Sequence, residues 1–228
     1  MLPEQGVLAS RRDGISTGRA GLPNNVQDAD PLTPPRNGRL RHDGSPMPSL
    51  DPRADDVLEF WFHGDESRMA WFRKDPAFDA EIRQRFFDLW MQAHDGGLEA
   101  WRAAPEPALA YIVVCDQFPR NMFRGEARAF ATDAKALAAA RDFVGRGWHA
   151  GLPGVRQLFV YLPFEHSEEI ADQKRSLELF AGHSNYDYAV KHWEIIRRFG
   201  RFPHRNAALG RATTPEEAAF LDQPGSSF

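Results

Sequence analysis

Twice in this chain an Asp-Pro pair opens a run of apolar residues spaced by three and four, and that pattern commits the sequence to helix. At Asp51-Pro52 the aspartate suits a helix N-cap and the proline suits the first helical position. Val57, Leu58, Trp61 and Phe62 follow as an apolar stripe. Asp75-Pro76 repeats the signal ahead of Phe78, Ile82, Phe86, Leu89 and Trp90. Pro105 to Asp116 reads as a shorter helix with Leu109, Ile112 and Val113 on one face. Thr132 is expected to cap a helix through Phe143, and Val155 to Leu162 is a short apolar segment that Pro163 breaks. Ser167 is expected to open a helix that Gly182 stops. Ser184-Asn185-Tyr186-Asp187 reads as a capping box for a helix ending at Gly200, and Thr214-Pro215-Glu216-Glu217 as another. No stretch alternates apolar and polar residues long enough to be a strand. The expectation is an all-α domain of helical hairpins.

The first fifty residues differ in kind. They contain no Phe, Trp or Tyr and are rich in Pro, Gly, Arg and Asp. Such a segment buries too little apolar area to offset its ordering entropy. The expected organisation is therefore a disordered tail over 1–50, with Met47 as an alternative start, and one helical domain over 51–228. A chain of 228 residues, 42% hydrophobic, is long enough for that core. A net charge of -4 and a pI near 6.1 give no global basic field, so no nucleic-acid partner is expected. No apolar run approaches the roughly 20 residues of a membrane-spanning helix. The N-terminus lacks the apolar core of a secretory signal. A single cysteine, Cys115, excludes an internal disulfide framework, and the expected compartment is the cytoplasm.

Helical spacing turns several polar residues inward. Counting four back from Ile170 gives His166, and counting three on gives Gln173. His192 lies on the stripe marked by Tyr188, Ile195, Ile196 and Phe199. Asp116 continues the face of Leu109, Ile112 and Val113. Each alone fits a satisfied core hydrogen bonder, and Asp116 alone fits an anchor for Arg120. Together they suggest a shared pocket, because buried polar groups without a role are costly and few. In Pro163-Phe164-Glu165-His166-Ser167-Glu168-Glu169, Glu165, His166 and Glu168 or Glu169 could bind a metal or handle a proton; Ser167 as an N-cap, with Glu168 and Glu169 at the positive helix end, accounts for the glutamates but not for His166.

Two further segments echo each other: Phe118-Pro119-Arg120-Asn121 and Phe202-Pro203-His204-Arg205-Asn206. Both read as joints that end a helix, or as the rim of a site, and they hint at an internal duplication. Arg120, Arg124, Arg201, Arg205 and Arg211, with His204, fit either an anion pocket or a set of loop and helix-end anchors. Cys115 lies in an apolar helix beside Asp116, a setting that opposes a thiolate nucleophile. No His-Glu-x-x-His or Glu-x-x-His pair is present, so no metal site is assigned and the cofactor stays unspecified.

Asp116-Gln117-Phe118-Pro119-Arg120-Asn121, with Phe123-Arg124-Gly125 after it, resembles the signature of the bacterial family called domain of unknown function 924. Pro163-Phe164-Glu165-His166-Ser167-Glu168 resembles its second block. Gly200-Arg201-Phe202-Pro203-His204-Arg205-Asn206, followed by Leu209-Gly210-Arg211 and Thr214-Pro215-Glu216-Glu217, resembles its third. Val57 to Phe62 also fits. The resemblance implies a tetratricopeptide-like helical fold and carries no activity with it.

Two functional readings stand. In the first, the chain is a small-molecule enzyme or ligand-binding protein. His166, His192 and Asp116 would do the acid–base work. Arg120, Asn121, Gln173, Arg201, His204, Arg205 and Asn206 would hold an anionic small molecule or peptide. In the second, stacked hairpins form a tetratricopeptide-like surface for a protein partner. Polar motifs in an enclosed pocket favour the first reading, and in an open groove the second.

Overall fold

A computed structural model describes residues 51–63 and 69–226. The expected tail and the alternative start at Met47 lie outside the described residues. Among the described residues the regular elements are helical and there is no strand. They are α1 Pro52–Phe62, α2 Pro76–His94, α3 Pro105–Ile112, α4 Phe118–Met122, α5 Asp133–Gly145, α6 Gly154–Glu165, α7 Ile170–Leu179, α8 Tyr186–Phe199 and α9 Pro215–Leu221. Short 3-10 turns connect several of them.

The start signals act as their chemistry demands. The Asp51 carboxylate accepts from the Arg53 amide at 3.0 Å, and Asp75 accepts from those of Ala77 and Phe78. Thr214 and Glu217 complete a reciprocal capping box on α9. Three other expected caps are absent. Ser167 does not open α7, which starts at Ile170 with Glu169 at the N-cap position; the Ser167 hydroxyl donates to Asp172 at 2.7 Å instead. Thr132 precedes α5 but turns its hydroxyl to the Cys115 carbonyl at 2.6 Å, and the Trp90 indole donates to it at 3.2 Å. Buried polar partners across the core outcompete the local cap. Asn185 stands at the start of α8 without a side-chain cap, and Ser184 bonds Asn185 instead.

Two prolines also behave differently from expectation. Pro163 lies inside α6, which runs on to Glu165. It sits in the last turn among Leu162, Phe164 and other buried residues, so packing outweighs the local penalty. Phe118-Pro119 does not end a helix either. The chain passes from α3 through one π turn, Val113–Gln117, directly into α4. The Phe118 amide donates to the Val113 carbonyl, the five-residue closure that defines that turn. Phe202-Pro203, by contrast, follows a left-handed Gly200 (φ +69) and leads into a 3-10 turn. The echoing segments therefore share letters but not backbone geometry.

α1 packs on α3, α2 on α4, and α3 on α5; α5, α6, α7 and α8 then pack in sequence order. The main core is aromatic: Trp61 meets Trp71, Phe78, Phe118 and Phe159. A smaller apolar cluster gathers Ile195, Ile196 and Phe202, with Phe199 and Phe220 against it. Burying one large apolar side chain stabilises by about 1.5–3 kcal/mol, so the main core dominates the fold. Two residues expected to mark core faces are on the surface instead: Ile170 is 40% exposed and Tyr188 53%.

Candidate functional site

The polar motif residues meet between the two apolar clusters. The π turn carries Asp116 and inserts it, fully buried, among main-core residues. His166 closes the C-terminus of α6 and reaches the Asp116 carboxylate through Nδ1, at 2.8 and 3.0 Å. The Gln117 amide donates to the same carboxylate at 2.5 Å, and the Arg120 guanidinium lies 3.2 Å from it. Burial alone would raise the Asp116 carboxyl. Arg120 and His166 outweigh that, and hold it well below the ordinary carboxylate range.

His166 is placed for proton transfer. Its Nδ1 faces a carboxylate and therefore carries the hydrogen. Its Nε2 is then the basic nitrogen. Nε2 makes no hydrogen bond to a described residue, and the side chain is 15% exposed. Burial, then the charge of Arg120, lowers the imidazole's proton affinity, with Asp116 pulling the other way. The ring is neutral at pH 7.

His192, from α8, lies behind His166 with ring centroids 6.2 Å apart. Its Nδ1 is 2.9 Å from the Tyr188 carbonyl and 3.1 Å from the Glu165 carboxyl. Burial, then His166, lowers its pKa to about 3. Glu165 moves the opposite way: burial and the charge of Asp116 raise it to about 8. It is protonated at neutral pH, and its buried Oε2 has no hydrogen-bond partner. Two carboxyls with opposed proton affinities thus flank the histidines, an arrangement suited to separate acid and base roles.

The arginines divide. Arg120 is engaged: it donates to the Asp116 carbonyl at 2.6 Å and to both Asp133 oxygens at 2.8 and 3.0 Å. Arg205 is buried, with its guanidinium carbon over the rings of Phe202 (4.4 Å) and Phe130 (4.8 Å), and it only approaches Asp133, at 3.5 Å. His204 follows Phe202 with rings 5.6 Å apart, and burial, then Arg205, lowers it to about 4.

The other expected binding residues lie elsewhere. Asn121 donates to Asp79 on α2 at 2.8 Å, beside the Arg124–Asp79 ion pair. Gln173 clasps the carbonyls of Glu165 and Ser167 at 2.7 and 2.6 Å, satisfying the C-terminal end of α6. Arg201 and Asn206 both bind Glu217 and tie the third block to α9. Glu168 accepts from the Phe202 amide and from Arg211, which joins the second block to the third. Asp133 is the site residue that sequence reasoning did not place, and Glu165 was weighed only among the glutamates of its block. Asp133 looks like an ordinary first-turn acid. Glu165 had one signal, its adjacency to His166. Burial raises the Cys115 thiol's pKa, as its apolar setting predicts. Among the described residues no group of three or more His, Cys, Asp and Glu is arranged to hold a metal. A groove of about 550 Å³ on α1 and α2, lined by Phe60, His63, Phe78 and Arg85 among others, contains none of these site residues.

A solved structure described as a protein of unknown function, ATU0120 from Agrobacterium tumefaciens, is similar at 40% identity. The match covers 75% of this chain and 97% of that one, with a TM-score of 0.71. No curated protein matches. Residues 57–225, which include all three motif blocks, match the family model described as "Bacterial protein of unknown function (DUF924)". The chain belongs to that family.

Proposed function

We propose that this protein is an enzyme acting on a small molecule by general acid–base catalysis, with His166 as the base and Asp116 as its orienting partner. One observation carries the reading. The Asp116 carboxylate fixes the hydrogen of His166 on Nδ1 and leaves Nε2 basic, on a side chain that is 15% exposed. A hydrogen-bonded carboxylate of this kind also stabilises the imidazolium formed when the base takes a proton. Protonated Glu165, beside His192, is a second proton source within the same cluster. A cytoplasmic setting belongs to the same reading, since one buried free thiol needs no oxidising compartment.

The tetratricopeptide-like interaction reading draws on Ile170, Tyr186 and Tyr188, which are exposed on α7 and α8. The motif residues are not on that surface. Asp116, Glu165, His192 and Arg205 are buried together, which favours chemistry over display.

The test is to incubate the purified chain with a small-molecule extract and follow depletion by mass spectrometry. At least one compound is expected to be consumed. His166→Asn, which keeps size but loses the base, should slow that consumption by about 10²–10⁴-fold. If the wild-type chain consumes nothing, or the variant works equally well, the reading is wrong.

A further inference from the structure

We infer that the Arg205 guanidinium is the seat of a substrate carboxylate, held beside His166 by a cation that makes no side-chain hydrogen bond to the described residues. The inference rests on the acid–base reading only for what the anion is brought next to; the seat itself stands on separate geometry.

A guanidinium carries five N–H donors in a planar fork. Buried arginines almost always have them engaged, because an unpaired buried charge is expensive. The contrast within this site is direct. Arg120 makes three hydrogen bonds of 3.0 Å or less. Arg211 makes three, to Glu168 and the Phe202 carbonyl. Arg201 makes three, to Glu217 and the Ala212 carbonyl. Arg205 is the most buried of these four, with a side chain 7% exposed. It makes no side-chain hydrogen bond to a described residue, and its Nε is buried without a partner. Its guanidinium carbon lies over the rings of Phe202, at 4.4 Å, and Phe130, at 4.8 Å, with the Asp133 carboxylate 3.5 Å from one terminal nitrogen, so contact with ring faces holds the group while its N–H donors stay available to a ligand. It is also the arginine whose charge reaches His166, His192 and His204 together.

The charge balance selects the ligand. Arg120 and Arg205 face Asp116 and Asp133, while Arg211 and Glu168 cancel each other. The cluster is neutral when its histidines are neutral. One added negative charge is matched once His166 takes up a proton. A phosphate dianion would leave a further charge uncompensated against Asp116 and Asp133. A planar, singly charged carboxylate also fits the fork edge in two parallel bonds.

The experiment is NMR titration of the full-length wild-type chain at constant ionic strength, following the Arg205 Nε–H resonance. Sodium acetate and inorganic phosphate are the probes. Acetate is expected to give a saturable shift, with phosphate weaker. Arg205→Lys keeps the charge but not the fork. Read from the backbone amides of His204 and Asn206, it should bind acetate about tenfold more weakly. No saturable shift with either anion, or equal acetate affinity in wild type and Arg205→Lys, overturns the seat. Preference for phosphate overturns the carboxylate. His166→Asn separates the two readings: it should lose turnover yet still give a saturable acetate shift, because the fork of Arg205 is intact. Turnover that depends on His166 in a chain that binds no acetate sinks the seat and leaves the acid–base reading standing.

Discussion

Phe118-Pro119-Arg120-Asn121 and Phe202-Pro203-His204-Arg205-Asn206 look like two copies of one phrase, and the fold uses them in opposite ways. In the first, Arg120 and Asn121 are tied to Asp133, the Asp116 carbonyl and Asp79 at 3.0 Å or less. In the second, the Arg205 guanidinium makes no hydrogen bond to a described residue, and among the described residues the buried Asn206 Oδ1 has no partner. The neighbours follow suit. Asp116, beside the first segment, is fully engaged, while Glu165, on the other side of the histidines, has an idle oxygen. One half of the site is a finished wall. The other half keeps donors and acceptors in reserve. A polar motif by itself therefore does not separate support from recognition; the number of unused hydrogen bonds does.

The largest effect should come from breaking the wall. Arg120→Met leaves Asp116 buried without its cation and should cost about 3–5 kcal/mol in denaturant unfolding. A loss below 1 kcal/mol would mean that the two halves do not differ. Glu165→Gln probes the other half through pH. The folded Glu165 holds its proton to about 8, against an ordinary 4.5. Its contribution to stability is therefore full below 4.5 and is lost as pH rises through 8. Glutamine stays neutral throughout. The variant's advantage over wild type should grow between pH 4.5 and 8, reaching a few kcal/mol at most. His192 acts in the opposite sense. Its pKa falls from 6.5 to about 3, so its contribution is full above 6.5 and lost as pH drops toward 3. Melting temperature measured across pH 4–9 for wild type and E165Q reads both, and parallel curves would refute the Glu165 assignment.

Smaller effects sharpen the contrast. Asn121→Ala removes a bond to a carboxylate and should cost about 1–2 kcal/mol in the same unfolding assay. Arg205→Met should change stability by no more than about 1 kcal/mol in either direction, since it removes an under-paired buried charge and keeps the stem volume. If Arg205→Met were as damaging as Arg120→Met, the reserve described above would be an ordinary structural ion pair.

The helical class and several helix starts were legible because Asp-Pro and the Thr214 capping box act locally. Asp116 and His192 were also legible as inward residues from their spacing, although Tyr188, one of the marks used for His192, proved exposed. The rest was hidden where tertiary partners override local signals. Thr132 has the chemistry of a cap, yet Trp90 and the Cys115 carbonyl claim it. Pro163 reads as a breaker, yet the buried end of α6 holds it in helix. Gln173, Arg201 and Asn206 have the same chemistry as site residues. Their use as clasps is set by Glu165, Ser167 and Glu217, which lie up to sixteen positions away along the chain. The division between Arg120 and Arg205 depends on Asp133, whose position after Thr132 carries no sign of it.

The π turn at Val113–Gln117 has a consequence for inheritance. Such a turn holds one residue more than the helix around it needs. Losing a single codon there would let α3 and α4 join as continuous α-helix, with the flanking core faces still in register. The shortened chain would keep its aromatic core and fold, but Asp116 would no longer be presented to His166. In this lineage the catalytic proposal hangs on a one-codon surplus that selection for stability alone would have no reason to keep.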